Sequence, residues 1–280
     1  MSKRYGRLLA RLVNGLTAPQ HEWRRAHSRL RTAEALVQRD EVATRHGTIV
    51  FVSTHPKALL FPQYHEVREP ETLRWIDSFD TPAVYWDIGA NVGEFVLYAA
   101  LRPDISVVAF EPAAASYAAL CRNLDANRCD EEVRAYCLAL GDRTQLGSLN
   151  LSDSEVGSGF NSFESREDCF GRPLDIAFSQ STIGFAADEF RRLFDLPAPN
   201  YLKIDVDGTE MQILDGAAAM LTDPGLRSVL IEIEEAETPR SAAIVARLEG
   251  AGFALTARGA AQGGVANAIF SRPAAPFRPT

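Results

Sequence analysis

The stretch DIGANVG at 87–93 lies between an apolar, strand-like run and a run with helical spacing. Gly89 and Gly93 suit a backbone that turns sharply and approaches a ligand closely. The N–H groups that open the following helix are free to bind a ligand. A dinucleotide loop would read G-x-G-x-x-G and would place a pyrophosphate there. Here Asp87 leads the loop instead, and its carboxylate favours a positively charged ligand group over a phosphate.

Strand-like and helix-like stretches alternate around this loop, from residue 83 to residue 271. Such alternation predicts an α/β fold with a mostly parallel sheet and helices on both faces. Ligands of such sheets bind outside the carboxyl ends of the strands. The strand-like runs that end in AFEP (109–112), LALGD (138–142) and YLKIDVDGTE (201–210) place polar residues there. The sequence therefore predicts one ligand site along this edge.

Two carboxylates of this edge are predicted to bind an adenosine group. Glu111 ends the second strand, 18 residues after Gly93, and a carboxylate there can accept hydrogen bonds from both ribose hydroxyls. The same carboxylate would repel a 2′-phosphate, which disfavours NADP. Asp142 ends the third strand and can accept from an adenine amino group, although a plain Gly-Asp turn explains this residue almost equally well.

A lysine and several acids crowd the end of the fourth strand. Strand alternation places Lys203 and Asp205 on one face, with Asp207 just beyond and Glu232 beside them on the fifth strand. Such a cluster is costly unless it binds something, although a structural salt-bridge network is the alternative. All five histidines precede residue 66, so a catalytic histidine would have to reach in from the N-terminal region. We predict instead that Asp205 and Lys203 are the catalytic residues. A Mg²⁺ ion held by Asp205, Asp207 and Glu232 is an alternative that we do not favour.

The N-terminal part of the chain is basic, whereas the rest is acidic. Residues 1–45 are predicted to be helical, with a second amphipathic run over 21–39. We expect the apolar face of these helices to pack on the main domain. Contact with anionic lipid or with an acidic partner is the alternative, and a homodimer through these helices is a further hypothesis.

The secondary structure of two other segments is predicted from their composition. Residues 47–65 predict one or two short strands with a turn at Pro56, and ETLRWIDSF at 71–79 predicts a short amphipathic helix. Residues 143–198 are rich in Ser, Gly, Asp and Glu and are predicted to be irregular. A segment of this length is typical of a lid or a substrate-binding insertion, with a disordered loop as the alternative.

The bulk properties exclude several classes of protein. A net charge of −8 argues against nucleic acid as the main partner. The four cysteines show no C-x-x-C spacing, so free thiols rather than a zinc site are expected. No run of 18 apolar residues is present to span a bilayer, and the basic N-terminus is a poor signal peptide. We therefore expect a cytoplasmic protein.

From Tyr85 to Phe270 the chain resembles the FkbM-type methyltransferases, a branch of the Rossmann-like methyltransferases that depend on S-adenosylmethionine. The matching segments are WDIGANVGEF, AFEP, LALGD, LKIDVDGTEMQILDGA, LIEIE and NAIF, and EPETLRWID is similar to the lead-in of that family. The resemblance implies a Rossmann-like methyltransferase fold, with a seven-stranded sheet that contains one antiparallel strand.

The resemblance also implies that S-adenosylmethionine is the cofactor. The residues that it assigns to cofactor binding are Asp87, Gly89, Asn91, Gly93, Glu111 and Asp142. Asp207 departs from the family pattern, because Glu is usual there and has a longer reach. Ahead of the fourth strand, only Asp188-Glu189-Phe190 resembles the end of the usual family stretch, so substrate contacts at that place are in doubt.

These features together predict a methyltransferase domain at 81–273 preceded by an N-terminal extension at 1–80. The expected reaction is O-methylation of a hydroxyl on a sugar, a glycan or a secondary metabolite, with the protein aligning the hydroxyl with the donor methyl group. The first alternative is an NAD-dependent oxidoreductase or epimerase, which the Asp87-led loop disfavours. The second is a non-catalytic binding module of a glycan-assembly complex that docks through its N-terminal helices.

Overall fold

The computed structural model describes residues 2–273, in which the largest element is a seven-stranded sheet. Its strands are β3 (Ala83–Ile88), β4 (Ile105–Phe110), β5 (Val133–Tyr136), β10 (Tyr201–Ile204), β11 (Ser228–Glu234), β12 (Ala254–Arg258) and β13 (Val265–Ser271). The order across the sheet is β12-β13-β11-β10-β3-β4-β5. β13 is antiparallel to both of its neighbours, and the other pairs are parallel. The predicted α/β fold, a mostly parallel sheet with an antiparallel strand, is therefore confirmed.

Helices cover both faces of this sheet and enclose two hydrophobic cores. They are α4 (Pro70–Asp77), α5 (Glu94–Ala100), α6 (Ala114–Asn127), α7 (Ala187–Leu193), α8 (Glu210–Gly216), α9 (Ala218–Thr222) and α10 (Pro239–Gly250). Strand side chains alternate between the faces. Tyr85 therefore packs in one core with Trp75 and Leu120, while Trp86 packs in the other with Leu214. The predicted short helix after Glu69 is confirmed as α4.

A second, four-stranded sheet lies between β5 and β10 in the chain. Its strands are β6 (Ala139–Gly141), β7 (Gln145–Leu151), β8 (Asn161–Phe163) and β9 (Phe178–Ala186), in the order β6-β9-β7-β8. The prediction that residues 143–198 are irregular was therefore wrong. The polar composition concealed the strands, because backbone pairing between β7 and β9 stabilises them rather than a continuous apolar face. The expected third strand is also divided, since β5 belongs to the large sheet and β6 to the small one.

The N-terminal part contains two helices followed by a hairpin. These elements are α1 (Ser2–Thr17), α2 (Glu22–Ala35), β1 (Gln38–Thr44) and β2 (Gly47–Ser53). The predicted helical region was therefore too long, because residues 38–44 pair antiparallel with β2 instead of continuing α2. Met1 lies outside the described residues. No described helix is long and apolar enough to cross a membrane.

Two further N-terminal predictions were wrong. Strand β2 confirms the strand expected at the start of residues 47–65, but Pro56–Leu59 form a 3₁₀ helix and Leu60–Arg68 form helix α3 in place of the expected turn and second strand. Pro56 begins the 3₁₀ helix, a position where the missing N–H of proline has no cost. The apolar face of the first helices does not pack on the main domain either, since leucines of α1 such as Leu8 and Leu12 are exposed.

The hairpin is joined to the main fold by buried hydrogen bonds from α6. Asn123 accepts a hydrogen bond from the Val52 N–H at 2.8 Å and donates one to the Val92 carbonyl at 2.8 Å. Asn127 pairs in the same way with both backbone groups of Val50. The side chains of α6 thus bind β2 as a neighbouring strand would, and they couple it to the loop before α5.

We expect Asn123→Ala to destabilise the protein by about 2–3 kcal/mol, because two buried backbone groups lose their partners. Urea unfolding followed by circular dichroism measures the change. Arg122→Ala, an exposed position on the same helix, is the matched control and should leave the free energy of unfolding within about 0.5 kcal/mol of wild type. An equal effect of the two substitutions would contradict the bridging role of Asn123.

Candidate active site

A cavity of about 280 Å³ opens at the carboxyl ends of β3, β4, β10 and β11. Its wall is formed by residues 89–91 after β3, Glu111 after β4, Lys203 and residues 205–207 at the end of β10, and Glu232 on β11. The predicted edge of the sheet therefore contains a real concavity. Its position follows from the parallel arrangement, which brings the ends of successive strands together.

The glycine loop is shaped by its close approach to the neighbouring strand. Gly89 has a φ of +87°, and a Cβ there would lie 1.9 Å from the backbone oxygen of Asp205. Gly93 has a φ of +92°, and a Cβ there would meet Leu120 at 2.4 Å. The N–H groups of Gly89 and Ala90 both donate to the carbonyl of Phe110, each at 3.0 Å. The loop thus passes across the ends of two strands, and glycine is required for both backbone shape and space.

Glu111 is buried and bound to the same loop. Its carboxylate accepts hydrogen bonds from the Asn91 N–H at 2.8 Å and the Ala113 N–H at 2.7 Å. Burial raises the pKa of this carboxyl to about 7, although the two N–H donors oppose the shift. Each carboxylate oxygen retains a lone pair for a further donor, as the predicted ribose contact requires.

Lys203 is the buried cation of the site. Its Nζ atom lies 2.5 Å from Asp205 Oδ2, 3.9 Å from Asp87 Oδ1 and 5.1 Å from the centre of the Phe95 ring. Burial opposes the charge, but the surrounding carboxylates, Asp205 first, raise the pKa of this lysine. Lys203 therefore remains protonated, and it fixes the position of the Asp205 carboxyl.

Carboxyl groups outnumber this lysine. Burial, aided by neighbouring acids, raises the pKa of Asp87 to about 6, of Glu69 to about 7, of Asp207 to about 6 and of Glu232 to about 9. Several acids that share a buried site resist full ionisation, because each charge disfavours the next. A positively charged ligand group in this cavity would relieve that repulsion.

The structure brings together most of the predicted site residues. Gly89, Asn91, Glu111, Lys203 and Asp205 line the cavity. Behind the wall, Asp87 faces Lys203, and Gly93 precedes the first residue of α5.

Asp142 is the exception among the predicted cofactor residues. It is not part of the described cavity wall, and its half-exposed carboxylate pairs with Arg143 at 3.2 Å. The turn that holds it follows β6, which belongs to the small sheet rather than to the large one.

Sequence reasoning missed a second wall, which comes from the N-terminal region and the small sheet. Arg68, the last residue of α3, and Glu69, which precedes α4, line the cavity together with Phe61 and residues 158–161. Glu69 accepts a hydrogen bond from Asn267 at 2.9 Å. The signal was present in the sequence, because EPETLRWID and NAIF both belong to the resemblance, but nothing in their spacing indicated that they touch.

Histidine and metal ligands are not evident in the cavity. No described histidine side chain lines it: His46 pairs with Asp77 at 2.7 Å and His55 with Glu155 at 3.3 Å. The side chain of His65 lies outside the described part of the chain. Within residues 2–273, no group of three or more His, Cys, Asp or Glu side chains is arranged to hold a metal ion.

The sheet and its acidic edge define the class of the protein, a Rossmann-like methyltransferase fold. Residues 87–255 match the model of the methyltransferase FkbM domain. The chain therefore belongs to the FkbM methyltransferase family.

Named relatives agree with this assignment. The chain is 29% identical over 195 residues to the 31-O-demethyl-FK506 methyltransferase FkbM of Streptomyces tacrolimicus. This match covers 62% of this chain and 74% of the relative. It is 26% identical over 173 residues to the hexuronic acid methyltransferase AglP of Haloferax volcanii, covering 61% and 65% of the two chains. The crystal structure of an FkbM methyltransferase from Methylobacillus flagellatus has a TM-score of 0.51 at 14% identity, and this likeness concerns the fold. The match covers 77% of this chain and about half, 52%, of that one.

The raised pKa values predict how stability depends on pH. A carboxyl whose pKa is higher in the folded protein stabilises the fold below its ordinary pKa, and this contribution is lost as the pH rises through the folded value. For Glu232 the window runs from 4.5 to about 9. We expect the melting temperature of the ligand-free protein to fall across this window, and Glu232→Gln to reduce the fall.

Differential scanning calorimetry at closely spaced pH values tests this expectation. Glu235→Gln, an exposed position near the end of the same strand, is the matched control and should follow wild type. If the pH profile of Glu232→Gln matches that of wild type, the pKa of the Glu232 carboxyl is not raised in the folded protein.

Proposed function

We propose that this protein transfers a methyl group from S-adenosylmethionine to a hydroxyl of a sugar, a glycan or a secondary metabolite. The observation on which the proposal rests is the acidic cavity at the carboxyl edge of the sheet, where Glu111 is bound to the glycine loop. Family membership supports methyl transfer, and the cavity supports the choice of donor.

The residues of the cavity fit this donor. S-adenosylmethionine supplies a methyl group already activated by attachment to a positively charged sulfur. Asn91 Oδ1, on the cavity wall, is buried and has no hydrogen-bond partner among the described residues, as expected where a polar ligand group binds. Glu111 would hold the ribose hydroxyls, and the surplus of carboxylates would balance the sulfonium and ammonium charges.

The same acids disfavour an NAD-dependent oxidoreductase. The pyrophosphate of a dinucleotide would bring negative charge beside Asp87, Asp205 and Glu111, where burial, together with repulsion from Asp205, already raises the pKa of Asp87 to about 6. The loop also lacks the second close glycine that lets a backbone approach a pyrophosphate.

We assign Asp205 as the general base that takes the proton of the acceptor hydroxyl. Its side chain is 29% exposed, and Lys203 holds its Oδ2 atom at 2.5 Å. The side chain of Lys203 is only 2% exposed, so this residue acts by positioning Asp205 rather than by touching the acceptor. The carboxyls of Glu69 and Glu232 line the same cavity and can receive the proton afterwards.

The acceptor class is supported by the cavity wall and by the relatives. Phe61, Phe95 and Phe160 provide aromatic surface beside the carboxylates, a combination suited to the apolar face and the hydroxyls of a sugar or a secondary metabolite. The two named relatives act, by their names, on a hexuronic acid and on 31-O-demethyl-FK506. A hydroxyl acceptor is consistent with both.

Isothermal titration with S-adenosylmethionine and, separately, with NAD tests the proposal. We expect roughly micromolar binding of S-adenosylmethionine without added Mg²⁺ and no binding of NAD. Glu111→Gln should weaken binding by roughly 10- to 100-fold, because an amide can accept fewer of the ribose hydrogen bonds. Binding of NAD but not of S-adenosylmethionine would favour the oxidoreductase. Binding of neither ligand would favour a non-catalytic binding module.

Asp205→Asn separates donor binding from catalysis in the same experiment. It should bind S-adenosylmethionine nearly as wild type does and lose about 10²-fold or more in turnover. Turnover is measured with methyl-labelled donor against a panel of hexuronosides and hydroxylated secondary metabolites. Full turnover by Asp205→Asn on an acceptor of the wild-type enzyme would exclude Asp205 as the base.

A further inference from the structure

Helix α1 presents a continuous apolar stripe to solvent. The stripe consists of Tyr5, Leu8, Leu9, Leu12 and Leu16, which are between 59% and 72% exposed. These positions follow the i, i+3, i+4, i+7 spacing that places side chains on one face of a helix. Large apolar residues scattered singly on a surface need no explanation, but a contiguous stripe indicates a binding surface.

Helix α2 does not cover this stripe. It meets α1 on another face, where Arg29 Nε donates to the buried Thr17 hydroxyl at 3.0 Å and Arg29 Nη2 reaches the Asn14 carbonyl at 3.5 Å. At 100° per residue, Asn14 and Thr17 point away from the stripe. Within the described helix α2 no residue is buried, and Trp23 and Leu30 add exposed apolar surface of their own.

Helices α1 and α2 carry a charge opposite to that of the rest of the protein. Residues 2–35 contain eight Lys or Arg and two Glu, a net charge of +6 in a chain whose net charge is −8. Helix α1 itself contains Lys3, Arg4, Arg7 and Arg11 and no acid. The stripe is therefore accompanied by cations whose partners must come from outside the helix.

We propose that α1 binds the surface of a bilayer that contains anionic lipids. A helix with leucines on one face and arginines around it can lie in the interface, with the leucines among the acyl chains and the arginines on the headgroup phosphates. Tyr5, an amphipathic aromatic residue, suits the same depth. A second copy of the chain is a poorer occupant, because joining two stripes would place two positively charged helices side by side.

Flotation with lipid vesicles tests this surface on the full-length protein. We expect binding to vesicles of phosphatidylcholine mixed with phosphatidylglycerol, little binding to phosphatidylcholine alone, and loss of binding in added NaCl. Leu9→Glu combined with Leu12→Glu should abolish binding. Arg7→Gln combined with Arg11→Gln should weaken binding by about tenfold or more.

Matched controls lie on the small sheet and on α7. Leu146→Glu changes a leucine that is 84% exposed, and Arg192→Gln removes an exposed arginine; neither should alter binding. Because the substituted side chains of α1 are exposed, circular dichroism and affinity for S-adenosylmethionine should match wild type.

Three results would overturn the proposal. They are absence of wild-type binding to the anionic vesicles, equal binding to neutral vesicles, and binding by the Leu9→Glu, Leu12→Glu variant. Light scattering gives a fourth such result. If the wild-type protein is a dimer that does not bind vesicles, and the Leu9→Glu, Leu12→Glu variant is a monomer, the stripe binds a second copy of the chain instead.

Discussion

The ion pairs of Lys203 are the constraint on which the candidate site depends. Lys203 and Asp87 are paired in register on the adjacent parallel strands β10 and β3, so their side chains meet on one face. Asp205, two residues further along, completes the cluster at the cavity wall. A buried lysine requires carboxylate partners, and these partners in turn create the excess negative charge that suits a cationic donor. The close passage of Gly89 over the Asp205 backbone then places the glycine loop directly above the cluster.

The segment upstream of the sheet contacts the strands at both of their ends. Glu69 binds Asn267 of β13, and the Trp75 indole donates to Ser228 at the start of β11 at 2.9 Å. Tyr201, which begins β10, accepts a hydrogen bond from the Asp80 N–H at 2.9 Å. These contacts anchor α4 beneath three strands and bring Glu69 to the cavity. The second wall is thus part of the fold rather than an accessory to it.

The sequence predicted the large sheet and its ligand edge because both depend on local patterns. The alternation of strands and helices, the glycine loop, and the polar ends of β4 and β10 are each readable from short segments. The small sheet was missed because β7 and β9 are polar and their stability comes from pairing across about 30 residues. In the sequence analysis, Asp142 was assigned to the site because LALGD was assigned to the large sheet. The contact of Glu69 with Asn267 joins residues that are too distant in sequence for any local pattern to indicate.

The most direct test of the central assignment is a crystal structure of the protein with S-adenosylhomocysteine, the product of the proposed donor. We expect the ribose hydroxyls on Glu111, the amino-acid portion beside Asp87 and the glycine loop, and the thioether sulfur facing the cavity that Lys203 and Asp205 line. A ligand bound elsewhere, or bound here with Glu111 still turned only toward Asn91 and Ala113, would contradict the assignment of this acidic edge as the methyl-transfer site.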